Sequence, residues 1–263
     1  MLPYELLFPG TWLDRGAPER DAHQAQAVLY VLESHLSDAA LALRLFELDR
    51  ARPPSFGGRE SESDARRRRQ MEFEREQTLS PSLSLADRSA ASEVIRLEVE
   101  ISMKRERWAA GEIPEAHLFR AIFVYAQAFL FAFDGIGKSL KALADMPGAA
   151  VAVSAAHDEF YREFPSLTGV RDSSHHLEDR VRGRDRRGRP LALKPVDNSM
   201  VHAPGGALIL GSLNGNRYGS TMEDGSYGEL EVSTGSLDAA RLAIQKAIDS
   251  FSWMGPKRHT PHR

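Results

Sequence analysis

Between residues 114 and 144 the chain carries apolar side chains on more than one face of a helix, and this stretch most constrains what it can fold into. Leu118, Ile122, Tyr125, Phe129, Ile136, Leu140 and Leu143 recur at helical spacing, while Phe119, Phe123, Phe131 and Phe133 lie elsewhere around the same helix. A helix of this kind has to be wrapped by other helices or by a second subunit, so a helical bundle and a homodimer are expected. Gly135 and Gly137 suit a close helix approach or a bend. Arg120 and Gln127 interrupt the densest apolar part, 118–133, which is read as too short and too broken for a membrane span.

The remaining helices follow from the same periodicity. Val28, Val31, Leu32, Leu36, Ala39, Leu43 and Phe46 predict a long first helix that stops before Pro53-Pro54 and Gly57-Gly58. Over 84–110 a second one places Val94, Leu97, Ile101 and Trp108 on its apolar stripe. After the Met146-Pro147-Gly148 turn another helix runs to Phe164, with Phe160 and Phe164 turned inward and Pro165 as its break. Pro165 and Ser166 open a further helix whose core-facing seam is Leu167, Val170, Ser174, Leu177 and Val181. Beyond Gly183 short β-like runs at 207–210, 217–220 and 229–232 are separated by Asn214-Gly215 and Asp224-Gly225, and a closing helix starts at Ser236. The expected fold is therefore mainly α: an entry segment (1–18), a long-helix bundle (19–183), a small antiparallel sheet with a closing helix (184–255), and a disordered basic tail (256–263).

Charge excludes a global attraction to polyanions, because 34 basic and 37 acidic residues leave a formal net charge of −3. Any nucleic-acid contact has to be a local patch. Arg66 to Arg69 form one such patch inside a charged insertion, 59–83, where Glu60, Glu62, Glu72, Glu74 and Glu76 fit a solvated helix or mobile loop as well as a polyanion contact. Absence of cysteine removes disulfides, thiolate metal sites and cysteine nucleophiles. The first ten residues carry Glu5 and Pro9 and no basic or long apolar run, so no signal peptide and a cytoplasmic location are expected.

The densest group of chemically usable side chains lies in Val170-Arg171-Asp172-Ser173-Ser174-His175-His176-Leu177-Glu178-Asp179-Arg180. On a continuous helix Asp172 and Asp179 fall near His176, so a carboxylate can orient the imidazole and favour its protonated form. Arg171, on the neighbouring face, offers a planar fork for a phosphate, and His175 is a second imidazole. Immediately downstream, Arg180, Arg182, Arg184, Arg186, Arg187 and Arg189 can hold a phosphate backbone beside the site, or form a solvated connector. No Glu-x-x-His pair, phosphate-binding glycine loop or nucleophile elbow is present, so no metal and no cofactor are expected.

An arginine followed by a polar residue and then by a histidine, on a late helix of a bundle, resembles the higher eukaryotes and prokaryotes nucleotide-binding (HEPN) domain. The match is Arg171, Asp172 and His176, and the resemblance covers about residues 20–183. It implies a metal-independent endoribonuclease acting as a homodimer, with His176 as acid or base, Asp172 as its orienter and Arg171 stabilising the phosphorane. RNA, and an antitoxin or regulatory protein in a toxin or phage-defence setting, are the partners it implies. Glu178 stands where one subgroup has a tyrosine, and the part after Gly183 lies outside the minimal domain. The alternative is a non-catalytic interaction or scaffold protein whose charge cluster stabilises a helix junction.

Overall fold

A computed structural model describes residues 4–14, 19–52, 61–79, 82 and 84–261. Its elements run β1 (Leu6–Phe8), β2 (Trp12–Leu13), α1 (Glu19–Arg50), α2 (Glu62–Glu76), α3 (Leu85–Ala109), α4 (Glu115–Ala144), α5 (Val151–Glu163), α6 (Leu167–His175), α7 (Leu177–Val181), β3 (Val196–Asp197), β4 (His202–Ala203), β5 (Ser212–Asn214), β6 (Arg217–Thr221), β7 (Tyr227–Glu231), α8 (Thr234–Asp249), β8 (Trp253–Met254) and β9 (Arg258–Thr260). Eight helices and four small antiparallel sheets among the described residues make the chain mainly α, with the sheets concentrated towards the carboxyl end. Contacts gather in two compact units, residues 1–51 with 122–263, and residues 52–121. This differs from the boundary expected after Gly183: the β5–β7 sheet and α8 pack on α5, α6 and α1 and belong to the larger unit, while α2 and α3 belong to the smaller one.

The larger unit is built around the carboxyl-terminal part of α4. Phe129, Leu130, Phe133, Ile136, Leu140 and Leu143 are buried, with Phe129 and Phe133 stacked at 4.3 Å and Phe164 edge-on to Phe133 at 5.1 Å. The glycines of α4 are needed for close approach: a Cβ at Gly135 would come within 2.6 Å of the His35 ring and one at Gly137 within 2.6 Å of the Tyr161 hydroxyl. By length and composition alone α4 is apolar enough to cross a membrane, contrary to its sequence reading as too interrupted; the core helix of a bundle passes the same test. α1 adds Leu29, Leu32, Leu36, Leu43 and Phe46, and α8 adds Leu237, Ile244 and Ile248. Ser233 caps α8 by accepting from the Ser236 N–H at 3.2 Å.

The two ends of the chain are zipped together. β1 pairs with β9 and β2 with β8, both antiparallel, and Gln245 of α8 bonds both backbone groups of Leu7, at 2.9 and 2.8 Å. Arg258 lies over the Phe8 ring at 4.1 Å and meets Glu33 at 3.0 Å. The tail expected to be disordered is thus ordered through Pro261, because a partner strand from the other end of the chain satisfies its backbone. Residues 207–210 form no strand; the sheet order is β5-β6-β7, with β5 starting at Ser212, five residues after the expected start.

The smaller unit is a helical hairpin. Ser61 and Ser84 cap α2 and α3 by accepting from the Asp64 and Asp87 N–H groups at 3.0 and 3.2 Å. Ile95, Val99 and Met103 of α3 are buried with Met71 and Leu79, and Arg75–Glu98 and Arg67–Glu106 tie the two helices at 3.0 and 2.8 Å. Arg66 to Arg69 sit on a helix rich in ion pairs, as one of the two sequence readings has it. The stripe expected to be core, Val94, Leu97, Ile101 and Trp108, is 56, 58, 37 and 49% exposed. The hairpin covers the adjacent face instead, with Met71 of α2 and Leu79 beyond it packed against Ile95, Val99 and Met103.

Candidate functional site: the helix junction at His176

α6 ends where a single helix was expected to continue. His176 adopts φ −109° and ψ 46°; its N–H closes the last turn on the Asp172 carbonyl at 2.9 Å, and its own carbonyl accepts from Asp179 and Arg180 at 3.2 Å. No proline or glycine forces the break. Its consequence is a change of face: Leu167, Val170 and Ser173 are buried on α6, but on α7 the buried residue is Arg180, while Leu177 and Val181 are 46 and 60% exposed. The expected seam therefore holds only as far as Val170.

Arg180, expected to meet a phosphate backbone, is 1% exposed. Its Nε donates to Ser173 Oγ at 3.2 Å and its Nη1 to the Arg184 carbonyl at 2.8 Å, so the side chain joins α6, α7 and the following loop. Burial of a guanidinium is tolerable only when hydrogen bonds replace its water. This placement explains why the helix breaks: the break turns Arg180 in and leaves two apolar residues out.

Arg171 is also turned inward. Its Nη1 meets Asp172 Oδ1 at 2.8 Å and its Nε lies 3.0 Å from Oδ2 of Asp134, a buried carboxylate on α4. Lys138 reaches the same Oδ2 at 2.7 Å, while Oδ1 of Asp134 is buried without a hydrogen-bond partner. The Arg171 Nε–H is not aligned for a hydrogen bond to Asp134, so that attraction is ionic. Tyr161 of α5 stands close by, its phenol pushed up by burial and then by the Asp134 charge, with a hydrogen bond involving Thr168 opposing both. A second polar chain holds α6 to the sheet: Gln127 donates to the buried Tyr218 hydroxyl at 2.8 Å, and Ser174 Oγ lies 3.3 Å from it. Asp134, Lys138, Tyr161 and Tyr218 were missed in the sequence. One aspartate amid the apolar residues of 118–144, with a lysine four places on, was the available signal.

The imidazoles stay outside this network. His175 is exposed, edge-on to Phe131 at 6.5 Å and to His176 at 5.1 Å. His176, 44% exposed, has its Nδ1 3.8 Å from Glu178, not against Asp172, which Arg171 has drawn away. Asp179 does fall near His176, as its spacing implied: ligand atoms of His176, Glu178 and Asp179 lie within 4.8 Å of one another. Arg182 already holds Asp179 at 2.8 Å, so this partly exposed group reads as an ion-pair cluster.

In the loop, acids meet three of the bases. Arg186 meets Glu223 at 3.1 Å, Arg189 meets the buried Asp185 at 2.7 Å, and Lys194 meets Asp224 at 2.6 Å. Burial raises the Asp185 pKa, but hydrogen bonds from Arg189 and Arg187 outweigh it and hold the carboxyl below its usual range. Arg184 and Arg187 are both exposed. No family model matches the chain, and no curated protein or solved structure matches it either.

Proposed function

We propose that this chain is a non-catalytic interaction protein in which Arg171 pins the α4–α6 contact. One observation carries this: two donor atoms of the Arg171 guanidinium face the carboxylates of Asp134 and Asp172 at 3.0 and 2.8 Å. A residue that stabilises a phosphorane must offer its positive charge to phosphate oxygens, and two carboxylates beside it offset that charge and repel a phosphate. Asp172, held by Arg171, no longer orients His176. Pairing of Arg186 and Arg189 with Glu223 and Asp185 reduces the field of the loop in the same way.

A second proposal, a metal-independent HEPN-type endoribonuclease or RNA-binding homodimer, in the cytoplasm and under an antitoxin or regulator, draws its support from the adjacent His175 and His176 rings, the first exposed and the second partly so. Incubation of the full chain with labelled RNA in EDTA separates the two. The interaction reading expects no cleavage above that of His176→Ala. Products with 2′,3′-cyclic phosphate ends that vanish in His176→Ala would overturn it.

A further inference from the structure

α3 carries two apolar seams, and only one of them is covered within its hairpin. Ile95, Val99 and Met103 face α2, whereas Val94, Leu97, Ile101 and Trp108 are exposed at spacings of three, four and seven residues. With Lys104 between the last two, the exposed seam follows the alternating three and four spacing of a two-stranded coiled coil. Its flanks are charged: Glu93, Glu100 and Arg107 on one side, Glu98 and Arg105 on the other.

We infer that this seam pairs antiparallel with the α3 of a second copy of the chain, the two-fold axis passing level with Ser102 and Met103. Reversing one helix sets each flank opposite the same flank of its partner. In this register Leu97 packs on the partner's Trp108 and Ile101 on the partner's Lys104, each contact occurring twice. Glu100 then lies opposite the partner's Arg107, and Glu98 opposite the partner's Arg105, so all four flanking contacts join opposite charges. A parallel pair would instead set Glu93 against the partner's Glu98. Shifting the antiparallel pair by one heptad sets Glu98 on Glu98 and Glu100 on Glu100. Charge complementarity thus selects a second copy, one orientation and one register.

Lys104 does not disrupt the seam. Its ammonium is already paired with Glu100 on the same helix, which leaves the aliphatic stem to lie over the partner's Ile101. Glu98 meets Arg75 at 3.0 Å yet stays 57% exposed, so a second cation can approach it. The contact from Leu97 to Trp108 spans about 18 Å of helix, a small interface that favours a weak, salt-sensitive dimer.

The inference concerns a different unit from Arg171 and fails separately from the functional proposal, whatever the chain does to RNA. Sedimentation velocity on the full chain at low salt, up to about 100 μM, tests it, because a weak interface of this size forms in that range. Wild type should dimerise with rising concentration. Glu100→Arg and Arg107→Glu should each raise the half-dimer concentration at least about tenfold, and Ile101→Glu should leave a monomer, all with unchanged circular dichroism. Mixing Glu100→Arg with Arg107→Glu should restore dimers, because every 100–107 contact in the heterodimer is again attractive. A monomeric wild type, a dimer indifferent to Ile101→Glu, or a mixture that stays monomeric would overturn the proposal.

Discussion

The larger unit hides charge, whereas the smaller unit displays apolar side chains. Asp134, Arg180 and Asp185 are buried in the first, while the second leaves Val94, Leu97 and Trp108 about half exposed on a helix whose other face is packed. Helical periodicity alone cannot tell these situations apart, because it reports that a face is apolar and not what covers it. In α3 two faces are apolar, and α2 has room for one. In α6 and α7 the apolar seam is abandoned after Val170 because the hydrogen bonds of Arg180 hold the turn that breaks it.

The comparison breaks first if Arg180 proves dispensable. Arg180→Ala removes a buried stem and leaves Ser173 Oγ and the Arg184 carbonyl without their donor, so a loss of about 3 kcal/mol is expected in denaturant unfolding. Arg180→Met keeps most of the volume and removes the buried charge, and should cost about 1 kcal/mol. Equal effects of the two variants would show that the hydrogen bonds, lost in both, and not the packing that methionine keeps, hold the junction.

Arg171→Ala comes next. It leaves Asp134 buried with Lys138 as its only cation, and about 2 kcal/mol should be lost, less than for a fully abandoned charge. The double variant Arg171→Ala with Asp134→Asn should recover part of that loss, since the carboxylate then has no charge to neutralise. A full-strength melt for Arg171→Ala alone would return the guanidinium to a role in binding.

Much of the fold was legible because it rests on local pattern. α1, α3, α4, α5 and α8 announce themselves by spacing, and the β6–β7 hairpin by Asp224-Gly225, whose glycine takes φ +81°. What was not legible depends on distant partners. The β1–β9 pairing joins residues some 250 positions apart, about which neither segment carries a local signal. The break at His176 has no proline or glycine to mark it; Arg180 decides it by meeting Ser173 and the Arg184 carbonyl. The candidate site was found as a cluster of residue types, but its wiring was not, because the group that binds Arg171 lies on α4, 37 residues earlier.

Within α3 the two seams can be set against each other directly. Val99→Ala opens a cavity between α2 and α3, and hydrogen exchange of the hairpin amides should report about 1.5 kcal/mol of lost protection. Ile101→Ala, on the exposed seam, should change it by less than about 0.5 kcal/mol in dilute protein. Equal losses would mean that the exposed seam is already packed within one chain, and the contrast between the units would fall with it.

The smallest expected effect concerns an exposed pair, and pH isolates it. Lys194 donates to Asp224 at 2.6 Å, and the Ser226 hydroxyl and N–H add two more bonds at 2.6 and 3.0 Å, which lowers the Asp224 carboxyl from 3.8 to about 2. A depressed folded-state pKa contributes stability above the unfolded value, and that contribution is lost as pH falls from about 4 towards 2. Because the side chains are half exposed, solvent screens most of it. Asp224→Asn should therefore lower the melting temperature at pH 6 by no more than about 2 °C and leave it unchanged at pH 2, so the wild-type and variant curves converge in acid. A gap that persists at pH 2 would assign the effect to the turn geometry of Asp224 with Ser226, and a gap much larger than this would mean that the loop of arginines is fastened to the β6–β7 turn as firmly as Arg180 fastens α6 to α7.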